Sequence, residues 1–254
     1  VTNFTMNQLT NHKSIRSFTN EKLTEAEINS LVSAAQHAST STFSQQYSII
    51  SVTDAKQKQI LGEISGHHWL ENSGHFFLMV VDQYRNLQLA DQAGAKPDVL
   101  GTTDKFLAGV MDAAIATESI MVAAESMGLG GTIMGSILND SKRVIDTFKL
   151  PQLTFPILGI ALGHPAATPS LKPRLPEALM HFDGQYALPA DFETQMADYD
   201  IVLQDYYHYR DSNTRDENFS HHIVKELSRD PRLRAELKSV IEAQGFMADF
   251  KEIN

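Results

Sequence analysis

Cationic and hydroxyl side chains recur at two-residue spacing in two distant stretches of this chain. In Asn11-His12-Lys13-Ser14-Ile15-Arg16-Ser17-Phe18, residues 12, 14 and 16 share a period of two, which in extended backbone turns them to one side. In Leu171-Lys172-Pro173-Arg174-Leu175-Pro176, Lys172 and Arg174 do the same across a proline that stiffens the backbone. Two such combs converging would give a phosphate a fork of donors and one more cation beyond it. Each comb also has a plainer reading, with Arg16 and Arg174 as surface ion-pair partners. Arg210 and Arg215 form a third candidate, either a clamp for an anion or a solvated turn after a helix.

Other motifs carry less. Gly128-Leu129-Gly130-Gly131 follows a helical pattern and opens a strand, the reverse of a dinucleotide-binding glycine loop, so it reads as a helix C-cap and tight turn. Gly135-Ser136 ends an apolar run. A glycine there marks a bulge or close packing, or a backbone N–H left open to a ligand ring. Ser39-Thr40-Ser41-Thr42 is a polar loop of small hydroxyl residues that alone says nothing. The ten histidines include the adjacent pairs His67-His68 and His221-His222, whose side chains diverge. No His-Glu-x-x-His pattern or completing carboxylate cluster is present, so no metal is expected. No Gly-x-Ser-x-Gly elbow points to a serine hydrolase.

Composition narrows the chemistry further. The 254 residues carry a formal net charge of -10, which disfavours nucleic acid and anionic membranes as partners. Cysteine is absent, which excludes disulfides, thiolate catalysis and cysteine-held metal clusters and fits a cytoplasmic protein. The N-terminal ten residues are polar and lack a signal-peptide core. The longest apolar stretch, 106–127, contains Asp112, Glu118 and Glu125, which argues for a buried helix over a membrane span.

The elements that must position these residues are partly readable. Thr24 to Glu27 form a capping box ahead of Ile28, Leu31, Val32 and Ala35 at helical spacing. Strands are expected at 47–52, 75–81, 132–137 and 155–162. Asp54 starts a short helix, a long alanine-rich helix runs near 104–127 and ends at Gly128, and Asn139 caps a helix holding Val144, Ile145 and Phe148. The segment 163–176 has four prolines and reads as an ordered loop. Helices are expected at 191–207, 220–228 and 231–243. The sum is one α+β domain, a core of residues 1–188 with a helical C-terminal extension, 189–254.

Taken together, the stretches His12–Arg16, 39–42, Ala124-Glu125-Ser126-Met127-Gly128-Leu129-Gly130-Gly131, Leu171–Pro176 and Tyr206-Tyr207…Arg210-Asp211-Ser212-Asn213…Arg215 resemble, in order and spacing, the oxygen-insensitive NADPH nitroreductases of the flavin-reductase type, within the FMN-dependent nitroreductase superfamily. The resemblance implies a central mixed β-sheet flanked by helices, and a homodimer with two FMN sites at the subunit interface. It implies that His12, Ser14, Lys172 and Arg174 hold the FMN phosphate and ribityl chain and that Arg16 sits near flavin N1 and O2. It further implies that Thr40 and Thr42 come from the partner subunit, that the Gly135 N–H approaches flavin N5, and that Arg210, with Arg215, binds the 2′-phosphate of NADPH.

Some positions depart from the family pattern. Lys13 stands where an arginine is usual, His68 where a glutamine near the flavin pyrimidine edge is usual, and Ser136 replaces a second glycine. Thr40 and Thr42 replace serines but keep the hydroxyl. The implied activity is a ping-pong cycle in which NADPH reduces bound FMN and a small flat acceptor, such as a nitroaromatic, a quinone, an azo dye or free flavin, then takes two electrons. The cleft would be shaped partly by the helical extension. The competing readings are a dedicated NAD(P)H:FMN reductase supplying reduced flavin, and a flavin-binding redox sensor without turnover.

Overall fold

The run His75-Phe-Phe-Leu-Met-Val-Val-Asp82 is buried at every position, the pattern of a strand covered on both faces. A computed structural model, which describes residues 2–210 and 213–248, places it (β2) inside a four-stranded sheet of order β1-β2-β4-β3. The other strands are β1 (Tyr47–Ser51), β3 (Gly130–Met134) and β4 (Thr154–Gly163), and every neighbouring pair is antiparallel. A parallel bridge from Ser14 to Gly131 adds the mixed character at the β3 edge.

The two faces of β2 seed two cores, as the period of two requires. Phe77 and Met79 pack with α2 (Glu25–Gln36) and α5 (Thr103–Ser126), while Phe76, Leu78 and Val80 pack with α3 (Ala55–Ser65) and α6 (Ser141–Phe148). The sheet is therefore sandwiched between helices. The small residues of α5 permit its close seat: a Cβ on Gly109 would lie 2.6 Å from Val81 Cγ1 and 3.1 Å from the Gln46 carbonyl oxygen. This helix is long and apolar enough to cross a membrane by composition alone, but half of that stretch is buried within the protein.

Local signals and local structure agree at several ends. Thr24 and Glu27 make the reciprocal capping-box bonds. Gly128 ends α5 at φ +78°, and the Leu129 N–H bonds back to the Ala124 carbonyl in a Schellman-type closure. Elsewhere tertiary partners decide. β3 stops at Met134, short of the expected Ile137, because residues 135–140 coil into a 3-10 turn. Asp140, not Asn139, caps α6 by accepting the Arg143 N–H, since the Asn139 amide is spent on the Ile64 carbonyl. The helix expected from 231 begins only at Leu237 (α9, Leu237–Ala243), after Arg234 at φ +72°. Two helices, α1 (Phe4–Thr10) and α4 (Tyr84–Gln92), lie where the sequence reading placed none.

The chain divides into two compact units. One comprises the residues up to Ala167 together with those from Arg232 onward, and the other is Thr168–Pro231. The second is built on α7 (Phe192–Tyr209), which buries Tyr199, Leu203 and Tyr207 at four-residue spacing and packs on α8 (Phe219–Leu227) through the Tyr199–Phe219 ring pair, 5.3 Å between centroids.

Burial of His75 beside Lys58 makes acid stability testable. Desolvation, aided by the Lys58 charge, lowers the imidazole pKa from 6.5 to about 4. Between those values the unfolded chain binds the extra proton, so stability rises with pH across that window and is lost on acidification through it. His75→Phe, which can keep the edge contact to Phe77, should flatten urea midpoints between pH 6.5 and 4.5. A parent and variant with parallel profiles would rule out His75 as the source.

Candidate functional site

The first comb lies against the start of β3. The Ile15 N–H donates to the Gly131 carbonyl at 2.8 Å, and the Thr132 hydroxyl donates to the Ile15 carbonyl at 2.7 Å. Glycine is what allows this approach. A Cβ on Gly130 would lie 2.4 Å from Ile15 Cγ1, and one on Gly131 2.6 Å from both the Ala161 carbonyl oxygen and Leu162 Cδ2. The glycine pair thus belongs to the strand, Gly130 making room for Ile15 of the comb and Gly131 for β4, while Gly128 alone serves as the C-cap.

Along the comb, Ile15 is buried and Arg16 is exposed, with no ion pair or hydrogen bond to any described residue. Lys13, half-buried, is likewise unpaired among the described residues. The surface ion-pair reading of Arg16 therefore finds no partner. His12 is held by Glu125 of α5, with Nδ1 2.6 Å from Oε1. That bond fixes the ring and leaves Nε2 as its outward atom. In the sequence Glu125 stands out as a charge that spoils a membrane helix and as part of the 124–131 stretch, neither of which points to His12.

The hydroxyl loop is held just as firmly from the same helix. Asp112, 1% exposed, accepts the Ser41 N–H at 2.8 Å on Oδ1 and the Gln46 N–H at 3.0 Å on Oδ2, with the Gln46 side-chain amide at 3.3 Å. Between these anchors Thr42, Phe43 and Gln45 adopt φ of 51°, 56° and 47°, a region costly for residues with a Cβ. Thr42 Oγ1 is within 2.8 Å of both the Ser41 carbonyl and Ser44 Oγ, and Phe43 projects outward, 83% exposed.

Gly135 opens the turn after β3. A Cβ added there would meet nothing within 4 Å, so its glycine identity is not forced by packing of this chain. Its carbonyl, with Asn139 Oδ1, is gripped by Arg234, whose NH2 and Nε donate at 3.1 and 2.9 Å. Ser136 is half-buried in the same turn. Arg234 was missed in the sequence because it lies 99 residues from Gly135 inside an apparent helix. His68 stands in a separate 3-10 turn, exposed and paired with Glu71 at 2.8 Å.

In the second unit three cations gather at one ring. Tyr207, 2% exposed, has Arg215 4.0 Å, Arg210 4.6 Å and Lys172 5.3 Å from its centroid. Arg215 also meets Glu217, itself 7% exposed, at 2.5 Å, so much of its charge is already answered. Arg210 donates from Nε to the Asn213 carbonyl and has no carboxylate partner among the described residues. Asp211 and Ser212, part of the sequence motif here, lie outside the described residues. Arg174 donates to the Lys172 carbonyl at 2.7 Å and makes no ion pair with a described residue.

Chemically this is a set of anion donors and an open backbone turn. No group of three histidine or carboxylate side chains among the described residues could hold a metal ion. The sequence and fold have well-characterised counterparts. The Nitroreductase family model matches residues 9–164, and the model of that family's C-terminal domain matches 172–249. The chain is 38% identical over 247 residues to the FMN reductase (NADPH) of Bacillus subtilis, covering 96% of this chain and 98% of that protein. It is 39% identical over 239 residues to an NADPH-dependent oxidoreductase of Staphylococcus aureus, covering 92% and 94%. The NfrA1 nitroreductase of Bacillus subtilis superposes with a TM-score of 0.90 at 38% identity, over 96% of this chain and 99% of that one.

The two kinds of glycine separate by substitution. Gly131→Ala should lose about 1–3 kcal/mol of stability by overpacking against β4, whereas Gly135→Ala should stay within about 0.5 kcal/mol. Denaturant unfolding of both variants checks this, and equal losses would mean that β4 does not require a glycine at 131.

Proposed function

Because the chain belongs to the nitroreductase family, we propose that it is an FMN-bound oxidoreductase that takes electrons from NADPH and delivers them in pairs to nitroaromatics, quinones or free flavin. Its relatives are named for NADPH-dependent oxidoreduction and FMN reduction. The observation that carries the reading on this chain is the open space over Gly135, where a Cβ would touch nothing and a flat ring can come against backbone. The unpaired cations Lys13 and Arg16 in the same unit add the charge that an anionic cofactor requires.

Bound FMN supplies the two-electron chemistry. The side chains bind, orient and polarise. Arg16 would place its guanidinium at the N1–O2 edge, where reduction accumulates negative charge. The Gly135 N–H, its peptide neighbour clamped by Arg234, would face N5, with Ser136 beside it. His12, turned by Glu125, and Ser14 would serve the phosphate and ribityl chain with Lys13, Lys172 and Arg174. His68 would lie at the pyrimidine edge, its imidazole tied to Glu71. Arg210 would take the 2′-phosphate of NADPH, with Arg215 as a lesser contributor because Glu217 engages it.

A homodimer completes the proposal, since Thr40 and Thr42 are assigned to the flavin of the partner subunit. Leu107, Met111 and Ile115 of α5 repeat every four residues on one helix face and are 51%, 56% and 45% exposed. Such a stripe needs a cover, and a second copy supplies one. Sedimentation should give twice the chain mass for the parent, and Met111→Glu with Ile115→Lys should yield monomers. A monomeric parent would refute the dimer.

The purified protein should show a bound-flavin visible spectrum that bleaches on anaerobic addition of NADPH. A colourless protein that takes up no added FMN would overturn the reading. Arg210→Ala should raise KM for NADPH roughly 10- to 100-fold, the loss of a charge-assisted contact, and leave that for NADH within about twofold. An equal rise for both would show that Arg210 does not read the 2′-phosphate.

A further inference from the structure

We propose that Asp112 is the positioning residue that sets the conformation of the Thr40–Gln45 loop for flavin. The inference rests on the reading above, in which Thr40 and Thr42 reach the flavin, and goes beyond it by naming what holds them. Three residues with side chains adopt left-handed backbone within four positions, at 42, 43 and 45. The residue types do not favour that, because none of them is glycine, asparagine or aspartate, and the bonds inside the loop, such as Thr42 Oγ1 to the Ser41 carbonyl and the Gln45 N–H to Thr40 Oγ1 at 3.4 Å, leave its ends unfixed. Contacts from outside the loop add to these, and the Arg85 guanidinium supplies one by donating to the Gln45 carbonyl. Asp112 acts at both ends, accepting the Ser41 N–H on one carboxylate oxygen and the Gln46 N–H on the other.

The geometry suits a carboxylate. Its two oxygens accept from donors five residues apart in the chain, and the loop between them must close over a short span. The Gln46 side chain adds a third donor and is itself fixed by Gln83, whose Nε2 donates to Gln46 Oε1 at 2.7 Å. Asp112, Gln46 and Gln83 are all at most 1% exposed, so water does not compete for these bonds. An asparagine at 112 would have to aim its NH2 at one of the N–H donors, and one end of the loop would come free.

A double-mutant cycle on the full-length protein tests this. Gln45→Gly relieves left-handed strain at a side chain that makes no hydrogen bond to a described residue. In the parent it should raise Tm by about 2–4 °C. On the Asp112→Asn background the gain should fall below about 1 °C, because the loop is no longer held left-handed. With FMN titrated in by flavin fluorescence, Asp112→Asn should weaken Kd at least about tenfold, and Gln45→Gly should change it less than about twofold. An equal Tm gain on both backgrounds, or an unchanged Kd in Asp112→Asn, would overturn the proposal. A parent that binds no FMN would defeat the functional reading instead, and the Tm cycle would still judge the hold on the loop. Should Asp112→Asn fail to fold, hydrogen exchange on the parent decides: the Ser41 and Gln46 amides should exchange at least about tenfold more slowly than that of Thr42, and equal rates would overturn the assignment.

Discussion

Helix α5, locked against a strand buried on both faces, is the constraint on which the first unit's candidate site depends. It carries two carboxylates, Asp112 and Glu125, each the anchor of a different loop. Thirteen residues of helix separate them, about 20 Å of rise. A rigid helix therefore fixes the distance between the hydroxyl loop and the histidine of the comb before any ligand arrives. Asp112, buried in this apolar helix, would not be tolerated without such partners, since a buried polar group left unpaired costs more than the bond it forgoes. The close seat of α5 at Gly109 makes that register hard to shift.

Electrostatics set the other condition. The chain is acidic overall, yet Lys13, Arg16 and Arg174 stand without carboxylate partners among the described residues. In an acidic protein ion pairs are easily found, so cations kept apart from them mark places where an anion is welcome. The second unit handles its cations differently. Tyr207 gives Lys172, Arg210 and Arg215 an aromatic face to lie against, which orders them without neutralising them. Of the three, only Arg215 meets Glu217, which it shares with His222 and Lys225, and Arg210 is left as the freer charge.

The parts of this architecture legible in the sequence are those whose signals are local. The capping box at Thr24, the doubly buried run at 75–82 and the glycine closing α5 need only neighbours within a few residues. What stayed hidden depends on partners far along the chain. Asn139 looked like a helix cap, but Ile64 and Arg234 claim its side chain, and Asp140 caps instead. The periodicity at 231–243 suggested one helix, but Arg234 is drawn out of it toward Gly135. The comb could be read from its two-residue spacing, whereas the role of Gly130 in seating it could not, because the clash it avoids is with Ile15, far away in the chain.

The backbone choices divide along the same lines. Where the β3 edge is closely approached, by the Ile15 side chain at Gly130 and by the Ala161 carbonyl at Gly131, the side chain is given up. At Thr42 the opposite holds. A glycine there would ease the left-handed φ at once, yet threonine is kept, and its hydroxyl bonds to Ser41 and Ser44 within the loop. A strained position filled by a residue that dislikes it is sustained only if the side chain is needed or the surroundings leave no choice. Asp112 supplies the second condition, and a hydroxyl presented at the loop tip supplies the first. The strain at 42 is thus the local cost of fixing one oxygen in space, and it can be borne because the anchor, Asp112, is buried and bonded to both ends of the loop.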